Sequence, residues 1–313
     1  MKYLLTLLTL LTIGYSSDGK LSGKVYYDYT YDLTEDASNV DGFALKRVYF
    51  TYSQEISDGI SYKFTTDINY KTSPMNLYLK YAKVDWISPI GKLTIGLQGM
   101  NVFNVAEKTW GFRFLEKSPM DAHKFSSSAD MGIGYSGKFS NLHYNLMITN
   151  GTGYKKSEND KYKKISTQLV YGEKKLLKKD GFNFGGVYTY EPYDVDSVTT
   201  ENKTVVAFFG GFAGGGLRIG GEFDTFTDAG SDVTKQIIAF YASYKLTDNI
   251  EGLVYYDMFD PNTNTDKDGE TYMIAGVNYY PGKGLIITPN IRLTIPEEGD
   301  GTTIFKVNFQ FKF

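Results

Sequence analysis

IFKVNFQFKF, residues 304–313, alternates without interruption: Phe305, Val307, Phe309, Phe311 and Phe313 are apolar, and Lys306, Asn308, Gln310 and Lys312 between them are polar. Side chains of a β-strand point alternately to its two faces, so this stretch has one face suited to hydrocarbon and one suited to water. A strand of a soluble sandwich shows the same pattern. The signal for a membrane barrel is weak per strand and has to be summed along the chain.

Summed in this way, the chain holds sixteen alternating segments: 20–33, 42–53, 60–70, 76–87, 91–103, 129–138, 142–150, 163–171, 182–191, 203–212, 217–226, 234–245, 250–259, 270–280, 285–294 and 303–313. The connections alternate in kind. Ser88 to Gly91, Ala213 to Gly216, Leu246 to Asn249 and Pro281 to Gly284 are short turns after even-numbered strands, and longer polar loops follow the odd-numbered ones. Short periplasmic turns and long external loops produce that asymmetry, whereas a soluble sandwich has no reason to sort loops by parity. The expected fold is an all-β, transmembrane antiparallel β-barrel of about sixteen strands, with an interior wide enough for an aqueous channel.

The N-terminus reads MKYLLTLLTLLTIGYSS. Lys2 precedes an apolar run from Tyr3 to Ile13, and small residues Gly14 and Ser16 follow at cleavage spacing. Residues 1–16 therefore read as a cleavable secretory signal peptide and 17–313 as one outer-membrane barrel domain. The apolar run is too short to span a bilayer as a helix, so strands must do the spanning. The sequence has no Cys, which leaves no residue for a lipid anchor and suits export through an oxidising compartment. Net charge is −3, and about −4 without Lys2, too small a bias for a nucleic-acid binder. Mean hydropathy is −0.31 although 16% of residues are aromatic. A barrel accounts for both, because polar lumen residues dilute the hydropathy while Tyr and Phe face lipid.

Assigning the apolar phase of each strand to lipid gives the other phase to the pore. In the first strand Val25, Tyr27 and Tyr29 face out, leaving Lys24, Asp28 and Asp32 inside. The same rule places Arg47, Lys63, Asp67, Lys83, Asp85 and Gln98 in the lumen. It does the same for Arg218, Glu222, Asp224, Asp257, Asn278, Asn290, Arg292, Lys306 and Asn308. A Lys or Arg facing mid-bilayer lipid costs about 2–4 kcal/mol, which drives these cations inward. Their signs are mixed, so they read either as a binding ladder for charged solutes or, more plainly, as a hydrated wall.

The longest loop, NVAEKTWGFRFLEKSPMDAHKFSSS, spans residues 104–128 and is the third external loop. Trp110, Phe112, Phe114 and Phe125 in water would expose apolar area without return, so the loop is expected to fold against the inner wall and narrow the pore. There Lys108, Arg113, Glu116, Lys117, Asp121 and Lys124 would screen solutes by size and charge. The alternative is a loop packed over the outer mouth or on a neighbouring subunit.

Sixteen strands, a long third loop after GLQGMNVF, the segment SADMGIGYSG behind it, the surroundings of ITNGTGY and a terminal aromatic residue resemble the Gram-negative outer-membrane porin superfamily. The similarity is greatest to its phosphate-selective porin O/P-like branch. The resemblance implies a passive diffusion channel for small hydrophilic solutes, charged and anionic ones among them. It also implies a homotrimer, no cofactor, a constricting third loop, and Phe313 as the assembly signal. In contrast to the phosphate-selective pattern, the chain has only four Arg, and alternation assembles neither an arginine ladder nor a dense lysine cluster.

Other constellations are less specific. His123 and His143 are the only histidines, and the strand assignments put them at different heights, too far apart for a shared hydrolytic or metal site. Asp260, Asn262, Asn264, Asp266 and Asp268 could offer a calcium ion several oxygens, but they lack the mid-loop Gly of an EF-hand and read more plainly as a solvated turn. EKKLLKKD, residues 173–180, reads as a solvated basic turn at the periplasmic rim, where it could meet anionic headgroups. The competing functional readings are a structural or adhesive barrel with a closed lumen, and an outer-membrane hydrolase.

Overall fold

A computed structural model describes residues 19–35 and 41–313. The signal-peptide segment 1–16 lies outside the described residues. Sixteen strands form one closed antiparallel barrel in which every strand pairs with its sequence neighbours and β1 (Lys20–Asp32) closes on β16 (Thr302–Lys312). Closure leaves no unpaired strand edge, which is what a β-structure needs in a medium without water.

The seam shows how alternation sets the register. Val25 pairs with Phe311, Tyr27 with Phe309 and Tyr29 with Val307, so outward apolar residues meet across it; the Tyr27 and Phe309 rings stack 5.1 Å apart. The other phase brings Asp28 opposite Asn308 on the inner face. Phe313 completes the seam by exchanging backbone hydrogen bonds with Gly23, and its ring lies where a Cβ on Gly23 would stand.

The remaining strands follow the expected segments: β2 (Asp41–Ser57), β3 (Ile60–Asn69), β4 (Asn76–Ser88), β5 (Gly91–Gly99), β6 (Ala129–Phe139), β7 (Leu142–Thr149) and β8 (Lys164–Gly172). They continue as β9 (Gly181–Asp194), β10 (Thr200–Gly214), β11 (Leu217–Asp228), β12 (Val233–Lys245), β13 (Ile250–Asp260), β14 (Glu270–Gly282) and β15 (Leu285–Pro296). The main departure is β5, which stops at Gly99 rather than residue 103, because Met100 to Phe103 turn inward and are buried inside the barrel.

Large apolar side chains such as Phe208, Phe240 and Val254 stand exposed on the outer face, where lipid rather than water is the solvent. The buried apolar cluster lies inside the barrel: Trp110, Phe112 and Phe114 of the third loop pack with Tyr26, Tyr241 and Tyr255 of the wall. In a protein whose exterior dissolves in hydrocarbon, the loop serves as the core.

Two register shifts alter which side chains face inward. Opposite β1, Tyr26 pairs with Arg47 and Tyr27 with Leu45, so Lys46 is an extra residue; opposite β3, Thr65 pairs with Tyr81 and Thr66 with Leu79, so Lys80 is extra. A bulge turns two consecutive side chains to one face. Both shifts thereby add a lysine to the lumen that strict alternation sends to lipid.

Candidate functional site: a cationic chamber beside the third loop

The third loop crosses the barrel interior. It contains two short helices, α1 (Ala106–Trp110), ended by Gly111 in the left-handed conformation at φ 82°, and α2 (Pro119–Ala122). The wall provides donors for its backbone. Tyr241 donates to the Ala106 carbonyl at 3.1 Å, Arg218 to Trp110 at 3.2 Å, and Asn308 to Phe114 at 3.4 Å. Arg292 donates to the Leu115 carbonyl at 2.8 Å and to the Glu116 carboxylate at 2.7 Å. The loop also ties itself, the Trp110 indole donating to the Glu116 carbonyl at 2.9 Å. Buried carbonyls without partners are costly, so this set of inward-facing donors fixes the path of the loop.

The donors sit on β11, β12, β15 and β16, so the loop lies against that side. Open space remains between the loop and the inner faces of β1 to β6, a cavity of about 640 Å³. Lys24 and Lys312 from the seam, Lys63 from β3, and Lys80 and Lys83 from β4 line it. Lys92 of β5 and Lys108 and Arg113 of the loop complete the set, and Glu107 is the single carboxylate among the lining residues.

The carboxylates that alternation assigned to the lumen are withdrawn from this space. Asp67 is fully buried against Arg47, 2.8 Å away, and Asp28 is held by Lys46 at 3.5 Å and Lys306 at 3.6 Å. Asp85, beside the chamber, binds Lys83 at 2.7 Å and Lys92 at 3.4 Å. Glu222, Asp224 and Asp257 are buried on the wall where α1 and α2 pack, and His123 meets Asp257 at 2.8 Å. The loop buries both signs of charge on the side it covers, Arg218 and Arg292 as well as Glu222, Asp224 and Asp257, while on the side of β1 to β6 the carboxylates Asp28, Asp67 and Asp85 are each held by a basic side chain of the wall. The expectation that no dense lysine cluster can be assembled is corrected, because the bulge at Lys80, the seam and the loop bring together lysines that lie far apart in sequence.

The six loop residues expected at the constriction divide. Lys108 and Arg113 line the chamber. Arg113 is clamped between Glu107 and Asp121, and Lys117 reaches Asp121 at 3.8 Å. Burial alone would raise the Asp121 carboxyl, but Arg113 and then Lys117 overcome it and hold it below the ordinary carboxylate value. Glu116 is turned to Arg292 and Tyr272 on the wall, and Lys124 is exposed outside the chamber lining. Sequence reasoning missed Lys80, Lys92 and Lys312, and the tyrosines Tyr26, Tyr49 and Tyr81 that line the chamber with them, as well as Lys46, which faces inward against Asp28.

The remaining candidates lie elsewhere. In the loop 260–270, Asp260 and Asn262 use side-chain oxygens to accept N–H groups of their own loop. Among the described residues no three His, Cys, Asp or Glu side chains are placed to hold a metal ion. His143 sits at the short-turn rim beside Lys138, while His123 stacks on Phe259, 3.8 Å between ring centres.

No protein-family model and no curated protein sequence matches this chain. Solved structures do match over nearly its whole length. An anion-selective porin from Comamonas acidovorans superposes with a TM-score of 0.75 at 12% identity, covering 95% of this chain and 99% of that one. Salmonella typhi OmpF, in complex with daunomycin, gives 0.72 at 13% identity, covering 94% and 97%. Pseudomonas putida OprB gives 0.71 at 10% identity, covering 100% and 97%. At these identities the likeness shows the fold: a transmembrane barrel of the sixteen-stranded porin type.

Proposed function

We propose that the protein is a passive, anion-preferring diffusion channel of a bacterial outer membrane, taking small hydrophilic anions, phosphate among them. The observation that carries this reading is the chamber between the third loop and β1 to β6, lined by eight cationic side chains and one carboxylate. A narrow water-filled space with low-dielectric walls concentrates the counter-ion of its lining, and fixed charges there are screened less than charges at an open mouth. The short-turn end is read as periplasmic and the long-loop end as external. Residues 1–16 are read as the exported chain's cleaved signal, Phe313 as its assembly signal, and the working unit as a homotrimer. The likeness to solved porin structures, an anion-selective porin among them, supports the channel reading.

The test is reversal potential in a planar bilayer across a potassium chloride gradient. Chloride preference is expected. Cation preference would overturn the charge reading, and absence of conductance from folded protein would leave the closed, adhesive barrel.

A further inference from the structure

The chamber is not lined by charge alone. Adjacent strands bring four uncharged side chains to one patch of its wall: Tyr49 and Thr51 on β2, Thr65 on β3 and Tyr81 on β4, with Thr51 opposite Thr65 and Thr65 opposite Tyr81. The two threonine hydroxyls meet at 2.9 Å. Short side chains bonded to each other make a floor, and the longer tyrosines stand on either side of it. Positions on β2 and β4 are two strand spacings, roughly 10 Å, apart. Aromatic rings pair at centre separations of about 4.5–7 Å, so that width admits one flat ring in contact with the tyrosines.

Both rings are backed by other groups. Tyr49 meets Tyr26 edge-on, 5.6 Å between ring centres, and Tyr26 in turn packs on Phe114 of the third loop at 6.2 Å. Tyr81 stands beside the end of β5, where a Cβ on Gly99 would lie 3.5 Å from its ring, an ordinary contact. Tyr26 is 5% exposed, whereas Tyr49 and Tyr81 are only partly buried. Packing of the loop accounts for Tyr26 and for one edge of Tyr49. It does not account for the ring surface that Tyr49 and Tyr81 present to the chamber.

Two ammoniums flank Tyr81. Lys63 lies 5.4 Å from its ring centre and Lys80 5.9 Å. Lys80 is 3% exposed, donates to the Ser128 hydroxyl and rests 3.9 Å from the centre of the Tyr154 ring. Among the described residues neither lysine has a carboxylate within ion-pair distance, in contrast to Lys83, which binds Asp85 at 2.7 Å. Unpaired ammoniums beside an open ring face complement a flat anion, because they draw its acid group while the ring holds the rest.

We propose that this patch is a subsite for aryl anions, flat carboxylates or sulfonates whose ring lies against Tyr81 and Tyr49 and whose acid group is drawn to Lys63 and Lys80. The assignment rests on the anion-channel reading and names a substrate class for it. An inorganic anion uses only the lysines of the chamber. An aryl anion of the same charge uses the rings as well and is held longer, yet a stacked face is a weak enough hold to release it onward.

The test uses chloride current through single channels in a planar bilayer, with benzenesulfonate or cyclohexanesulfonate added to both compartments. The two carry the same fixed charge on nearly the same bulk, and only the first is flat and aromatic. Benzenesulfonate is expected to reach half-block at a concentration about fivefold lower, the worth of one aromatic pair. Tyr81→Leu should bring the two sulfonates within about twofold of each other, and Tyr81→Phe, which keeps the ring, should hold them apart. Equal half-blocking concentrations in the unaltered protein, no block by either sulfonate, or a difference that persists in Tyr81→Leu overturns the aryl subsite, while chloride preference leaves the channel reading standing. Cation preference of the unaltered protein overturns both. The comparison of the two sulfonates needs no variant, so it decides even if Tyr81→Leu fails to assemble.

Discussion

Arg292 on β15 and Glu116 in the third loop lie 2.7 Å apart, and the same guanidinium donates to the carbonyl of Leu115 at 2.8 Å. One wall residue thus holds both a side chain and the backbone of the loop. Arg292→Met would keep the bulk and remove both bonds, together with those to Tyr272, Asn290 and Asn308, leaving Glu116 with Tyr272. Breaking a buried ion pair from one side costs on the order of 3–5 kcal/mol. The expected result is a lower unfolding temperature in gel-shift assays and larger, noisier single-channel currents. Unchanged current noise and unfolding temperature would mean that the loop does not depend on this contact.

Deleting about ten residues around Trp110 to Pro119 should raise single-channel conductance, since the narrowest section dominates the resistance of a water-filled pore. Lys63→Glu and Lys108→Glu, which line the chamber, should shift the reversal potential towards cations. Lys267→Glu on the external loop should do little, because a charge in bulk water is screened within roughly 8–10 Å. Equal shifts from all three would remove the chamber as the filter.

Burial lowers Lys108 against the opposing pull of Glu107, and Lys174 is lowered by burial and then by Lys108, Lys92 and Lys175. They lose their protons below the value of about 10.4 at which an exposed lysine does. Chloride preference should therefore weaken on raising the pH while exposed lysines are still charged. Lys108→Arg, which stays protonated, should retain more of that preference at alkaline pH. A flat reversal potential up to about pH 10 in the unaltered protein would contradict this.

Phe313 covers Gly23 across the seam, so Phe313→Asp would place a charge at the lipid face and uncover the joint. Folded barrel recovered from membranes should fall severalfold, judged by heat-modifiable mobility. Gly23→Val should act in the same direction, because its side chain would compete with the ring. Normal levels of both folded variants would dismiss Phe313 as an assembly determinant.

The sixteen strands were legible because a period of two is a direct consequence of one wet and one lipid face, and segments such as 304–313 carry it without error. The aromatic content of the third loop likewise implied its inward fold. The sorting of charge was not legible. Bulges at Lys46 and Lys80 reverse the phase of β2 and β4 without any marker in the binary pattern. On β12 the inward residues Ile237, Ala239 and Tyr241 are as apolar as the outward ones, because they meet the loop rather than water. Which carboxylates the loop covers depends on its path, and that path is set by donors on four separate strands.

The position of the third loop divides the barrel's circumference into two arcs with different duties. Along β10 to β15, residues answer to the loop, and a change there is felt as loss of form. Along β1 to β6 they answer to the solute, so a change there can be felt as altered traffic through an intact barrel. A change can then be absorbed within one arc while the other preserves the architecture.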